Sequence, residues 1–119
     1  MNLLPKSSGS RPRIACEISP DAIVCARTAA TGAALEAVAR GPLAEGAVMP
    51  SLRPGNLVDR IAVVGALRRV MDSIGVRPNS RAADVTLIIP DGAVRVLLLD
   101  FDTLPHKLSE ALPIVRFRL

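Results

Sequence analysis

Residues 15–26 read Ala-Cys-Glu-Ile-Ser-Pro-Asp-Ala-Ile-Val-Cys-Ala. A short apolar run meets a Ser-Pro-Asp break and is followed by a second apolar run. Proline presets φ at the first central position of a tight turn, and an aspartate there can bond its own backbone. The stretch therefore spells strand, turn and returning strand. With Pro20-Asp21 at the centre of a type I turn, Cys16 faces Cys25 across the hairpin. Many nucleotide-binding folds also open with a hairpin turn of this kind, so the same residues raise the question of whether the turn holds a phosphate.

Composition narrows the field. At 119 residues the chain fits one domain or less. Half of the residues are hydrophobic and the mean hydropathy is +0.36, yet the clean apolar runs are short, Val96–Leu99 and Leu87–Ile89 among them. Both are far short of the ~20 residues that a membrane-spanning helix needs. The opening Met-Asn-Leu-Leu-Pro-Lys has no signal-peptide apolar region, and a cytoplasmic location is expected. The net charge of +4 is spread along the chain, with Lys6, Arg11 and Arg13 before the first strand, and the aromatic residues are two phenylalanines. A nucleic-acid module would focus its basic residues and interleave stacking aromatics, so that class is disfavoured. Two cysteines and one distant histidine are too few ligands for a metal site. The facing cysteines are read as buried structural thiols, because a cytoplasmic compartment keeps such a pair reduced.

Residues 1–12 carry Ser7-Ser8-Gly9-Ser10 and two prolines, the composition of a flexible leader. Strands are expected over 13–18, 22–28 and 33–40, the third bounded by Gly32 and Gly41-Pro42. Residues 41–55, rich in proline and glycine, read as a surface connector. Asn56 is the expected N-cap of a helix running to about Ile74, with an apolar stripe of Leu57, Ile61, Val64, Leu67, Met71 and Ile74. Gly75 suits the left-handed position after that helix, and Pro78 stops it. Beyond a polar link at 79–81, Pro90-Asp91-Gly92 reads as the turn of a second hairpin. Thr103-Leu104-Pro105 then reads as the start of a second helix, kinked by Pro113. Asp100, Asp102, His106 and Glu110 crowd around that start without a nucleophile or metal partner. Acid–base catalysis is not expected of them: Asp102 reads as a carboxylate before a helix N-terminus and His106 as a solvated first-turn residue.

This order of elements resembles the N-terminal part of the PilM-type type IV pilus assembly proteins, relatives of actin and FtsA. The resemblance is carried by Ile88-Ile89-Pro90-Asp91, by Asp102-Thr103-Leu104-Pro105, and by Leu108, Leu112, Arg116 and Phe117. It implies an α/β (α+β) fold: the start of an actin-like, RNase H-like lobe with an inserted small subdomain. In that reading residues 1–12 are the leader, 13–41 the first strands of the lobe and 42–55 a connector. Residues 56–119 are then the inserted subdomain of helix, hairpin and helix, cut short at its C-terminus.

The function implied is a cytoplasmic scaffold of pilus assembly that binds an extended peptide of a PilN-like membrane-anchored partner, and so meets the inner membrane through partners. The expected walls of the peptide site are Val94, Val96 and Leu98 on the second hairpin and Ile23 on the outer face of the first. The partner's peptide in that family is Asn-Leu-Leu-Pro, and the same four residues stand here at 2–5, so docking of the leader on a neighbouring copy, a form of self-association, stays open beside coincidence. Where the family has Asp-Ile-Gly and hydroxyl residues, this chain has Glu17-Ile18-Ser19-Pro20-Asp21. A phosphate turn needs successive backbone N–H groups and no negative charge. Pro20 removes a donor and Asp21 adds a carboxylate, which leaves Glu17 and Ser19 as remnants of a degenerate phosphate turn. No catalytic residue and no cofactor are assigned to this chain, with ATP and Mg²⁺ reserved for a full-length parent. The alternatives are an actin-like ATPase in full-length form and the related cytoplasmic domain of a type II secretion component.

Overall fold

The computed structural model describes residues 11–77 and 83–119. The leader residues 1–10, with Asn2-Leu3-Leu4-Pro5, lie outside the described residues, as do Pro78 and the link at 79–81. The chain divides into two units, residues 11–95 and residues 96–119.

The first unit is a four-stranded mixed sheet with one helix on it. Strand β1 (Ile14–Ile18) and strand β2 (Ala22–Thr28) form the expected hairpin, with Cys16 directly opposite Cys25. Strand β3 (Leu35–Pro42) pairs antiparallel with β2. Helix α1 (Arg60–Ser73) then crosses over, and strand β4 (Val85–Ile88) returns parallel to β1. The spatial order is β3-β2-β1-β4. A parallel pair needs a crossover connection, and α1 supplies it.

Because side chains alternate along a strand, one sheet face presents Ile14, Cys16, Ile23 and Cys25 to α1. These join Val48, Val63, Ala66, Val70 and Ile74 in one buried cluster. The inward face of α1 keeps only part of the stripe expected from spacing: Ile74 is buried and Leu67 and Met71 pack against the core. Val63, Ala66 and Val70 are buried, whereas Ile61 is 88 % exposed and Val64 is half-exposed. The helix is apolar on more than one side, and the sheet selects the side. Ala37, Ala39 and Gly41 of β3 are small, so the backbones come close and small helix residues fit between them. At Gly41 a Cβ would stand 2.6 Å from Val70 Cγ2.

Several expected boundaries are corrected by the local chemistry. Asp59, not Asn56, caps α1: its carboxylate accepts the Ala62 N–H at 2.9 Å. Asn56 instead ties the preceding loop, accepting from the Ser51 N–H and donating to the Arg53 carbonyl. That loop is not wholly on the surface, because Ala47 and Val48 are buried and Val48 bridges Leu57. Gly75 takes the expected left-handed conformation, with φ of 80°. The second hairpin does not form. Pro90 leads into a single 3₁₀ turn, Asp91–Ala93, residues 94–99 lie on no strand, and β4 pairs with β1 instead. The expected division at residue 56 also moves, since α1 and β4 complete the same body as β1–β3 and the boundary follows Arg95.

The second unit holds helix α2 (Leu108–Arg118), which begins after Lys107 rather than at Pro105. Asp102 therefore lies well before the helix rather than at its N-terminus, while Glu110 stands in the first turn, 3.6 Å from Lys107 Nζ. Pro113 is inside α2 and supplies no N–H to the preceding turn. Arg118 stacks 5.2 Å from the centre of the Phe101 ring and donates to the Asp100 carbonyl.

Candidate functional site

The opening turn is closed on itself. The Ser19 N–H donates to the Ala22 carbonyl at 2.9 Å, and the Ala22 N–H donates to Ser19 Oγ at 3.2 Å. Pro20 has no N–H to offer. The Ser19 hydroxyl lies 2.8 Å from the Asp21 carboxylate, which also accepts from Arg40 at 2.9 Å. The Ser19 hydrogen bond is the main reason that the Asp21 carboxyl titrates below its ordinary range, with its own backbone and Arg40 adding to it. A phosphate placed here would meet a carboxylate where it needs N–H donors. Glu17 is exposed on the sheet face opposite α1, opposite Val24 of β2 and Ile88 of β4. Glu17 and Ser19 are thus not gathered around a common ligand position.

The residues expected to bind a partner separate. Ile23 is not on an outer face; it is 0 % exposed and sits at the centre of the core. Ile23 stands two residues from Cys25 and shares its face, and α1 covers the face carrying Ile14, Cys16, Ile23 and Cys25. Val94 is exposed just after the 3₁₀ turn of the first unit. Val96 and Leu98 are exposed in the second unit. None of the three is on a strand, and Ile23, enclosed in the core, offers no surface to a partner.

A different feature has the form of a binding site. β4 is an edge strand, and among the described residues no strand pairs with its outer side. Its Val85, Leu87 and Ile88 are exposed, as is Ile89 after it. Residues 85–89 contain no charge and no proline, the devices by which edges are usually guarded. The opposite edge, β3, carries Glu36, Arg40 and Pro42. Beside β4 lies an apolar cleft of about 210 Å³, lined by Ile18, Val48, Leu57, Leu87, Ile89 and Pro90 among others. Val48 was hidden in the sequence because it stands in a proline- and glycine-rich connector, whereas Leu57, expected on the helix stripe, precedes α1 and bridges Val48 instead. The available signal was Ala47-Val48-Met49, an apolar run inside that connector.

Among the described residues, no three His, Cys, Asp or Glu side chains converge as a metal site, and no helix is long and apolar enough to cross a membrane. No known protein family, curated protein or solved structure matches this chain.

Proposed function

We propose that the protein is an interaction scaffold that receives an extended peptide of a partner along the outer edge of β4. The observation that carries this reading is the unguarded, uncharged edge strand beside the apolar cleft. An added strand gains main-chain hydrogen bonds from the edge, and alternate side chains find pockets beside it. Leu87 and Ile89 point to the cleft side, so every second residue of the peptide would bury an apolar side chain there. The sequence resemblance supports a setting in pilus assembly, with a PilN-like membrane-anchored partner supplying the peptide. The self-satisfied turn at 19–22 favours a scaffold over a nucleotide-hydrolysing role for this chain.

The test is fluorescence anisotropy of the full chain with a labelled synthetic peptide containing Asn-Leu-Leu-Pro, combined with amide exchange. We expect a dissociation constant of roughly micromolar order, as small interfaces give, and slowed exchange over residues 85–89. Leu87→Lys, on an already exposed side chain, should weaken binding about tenfold or more with helicity unchanged. Absence of saturable binding, or binding that leaves exchange in β4 unaltered, refutes the site.

A further inference from the structure

Two sulfur atoms touch in the core of the first unit, and a third belongs to the strand residue opposite one of them. The Cys16 thiol donates to Met71 Sδ at 3.6 Å, and Cys25 stands directly opposite Cys16 in the hairpin. The register places this pair at a position without mutual backbone hydrogen bonds. Thr28 donates to Arg13 at the hydrogen-bonded pair beyond it, and such pairs alternate along an antiparallel ladder. At the positions between them the Cα atoms approach to about 4.5 Å, and side chains on one face lie closest. The two thiols accordingly face each other on the side of the sheet that α1 covers. Both cysteines are free and buried, and among the described residues no polar or charged residue is buried as a whole.

We propose that Cys16, Cys25 and Met71 form a three-coordinate site for a soft monovalent ion, Cu(I). Thiolate and thioether sulfur select that ion over the hard divalent cations. With metal–sulfur bonds of about 2.3 Å, a trigonal set places its sulfurs about 4 Å apart. The Cys16–Met71 separation needs only a small adjustment to reach that value. Each thiol releases its proton to solvent as its sulfur binds, and copper remains Cu(I), so no electron is transferred. The bound set carries one net negative charge. Arg27 follows Cys25 on the same face of β2, and its buried Nε has no hydrogen-bond partner, while its Nη1 pairs with Glu36 at 3.2 Å. That guanidinium supplies a positive charge on the same sheet face.

The site has an approach. Met71 also lines a cleft of about 250 Å³ with Leu67, Arg68, Asp72, Val76 and Arg77. An ion entering there meets the thioether first and the two thiols behind it. Met71 is thus the entry ligand, and the cysteines hold the ion in the core.

The full chain, reduced and kept from oxygen, is titrated with Cu(I) against a coloured Cu(I) chelator, and the bound form is examined by X-ray absorption. We expect one ion per chain and three sulfur scatterers. Cys16→Ser and Cys25→Ser should each abolish competition with the chelator. Met71→Leu keeps the volume and the fold, and should lower affinity at least about tenfold, the loss seen even for outer partners of a metal site. Should a cysteine variant fail to fold, the methionine variant still decides. Unchanged affinity in Met71→Leu, two sulfur scatterers only, or no stoichiometric binding by the native chain overturns the site.

Discussion

At single residues, small size and burial decide more than chemical type. Gly41 is required by closeness rather than by backbone conformation, since the side chain of Val70 occupies the space a Cβ would take. Gly41→Ala should destabilise the chain by roughly 1–3 kcal/mol, the range for overpacking a tight core, read as a lower urea midpoint. Cys25 shows the electrostatic side of burial. Removal from water, and then the neighbouring Cys16, push its thiol up to about 12. An unfolded thiol titrates near about 8.5. Between these values the folded chain keeps a proton that the unfolded chain has lost. This contribution to stability is therefore whole below about pH 8.5 and falls as pH rises through the window toward 12. The urea midpoint should drop between pH 8 and pH 10, and Cys25→Ala should flatten that drop. An identical slope in the variant would show that other groups carry it.

At the scale of elements, caps and edges set where structure begins and what it can accept. Both Asn56 and Asp59 are competent capping residues, and only Asp59 bonds a first-turn N–H of α1. Asp59→Ala should cost about 1 kcal/mol in a thermal melt. Asn56→Ala should leave the helix signal intact and loosen the 51–56 loop, which amide exchange at Ser51 would report. Loss of helicity in the second variant rather than the first would contradict this cap assignment. The two sheet edges differ in the same physical terms. β3 is broken by a register shift between Arg27 and Thr28 of its partner strand and carries charges, whereas β4 carries neither, and this difference is what makes β4 the acceptor of an added strand.

For the whole molecule, the core belongs to one unit. Every residue of the buried cluster lies between Ile14 and Ile74. In the second unit Leu98 is 95 % exposed and Phe117 94 % exposed. Large apolar side chains in water on this scale favour association. The chain expressed alone should elute in size exclusion with light scattering as species larger than a monomer. The pair Leu98→Lys and Phe117→Lys should move it toward the monomer. A monodisperse monomer from the native sequence would show that these residues are not adhesive.

Much of the local structure was legible from residues 11–42. The Ser-Pro-Asp break, strand alternation and the facing of Cys16 with Cys25 depend on neighbours in the chain, and the hairpin follows them. The same holds for the left-handed Gly75 and for the existence of α1, whose 3.6-residue repeat is local. Alternation puts Ile23 on the same face as Cys25, and the packing of α1 against small β3 residues decides that this face is covered. The fate of Ile88-Ile89-Pro90 was likewise not a local matter. An apolar run before a turn pairs as well with a following strand as with a distant one, and β1 offered the longer-range partner. The candidate peptide edge and the contact of Met71 with Cys16 exist because that crossover brings together residues far apart in the chain. Spacing along the sequence carries no record of such distances.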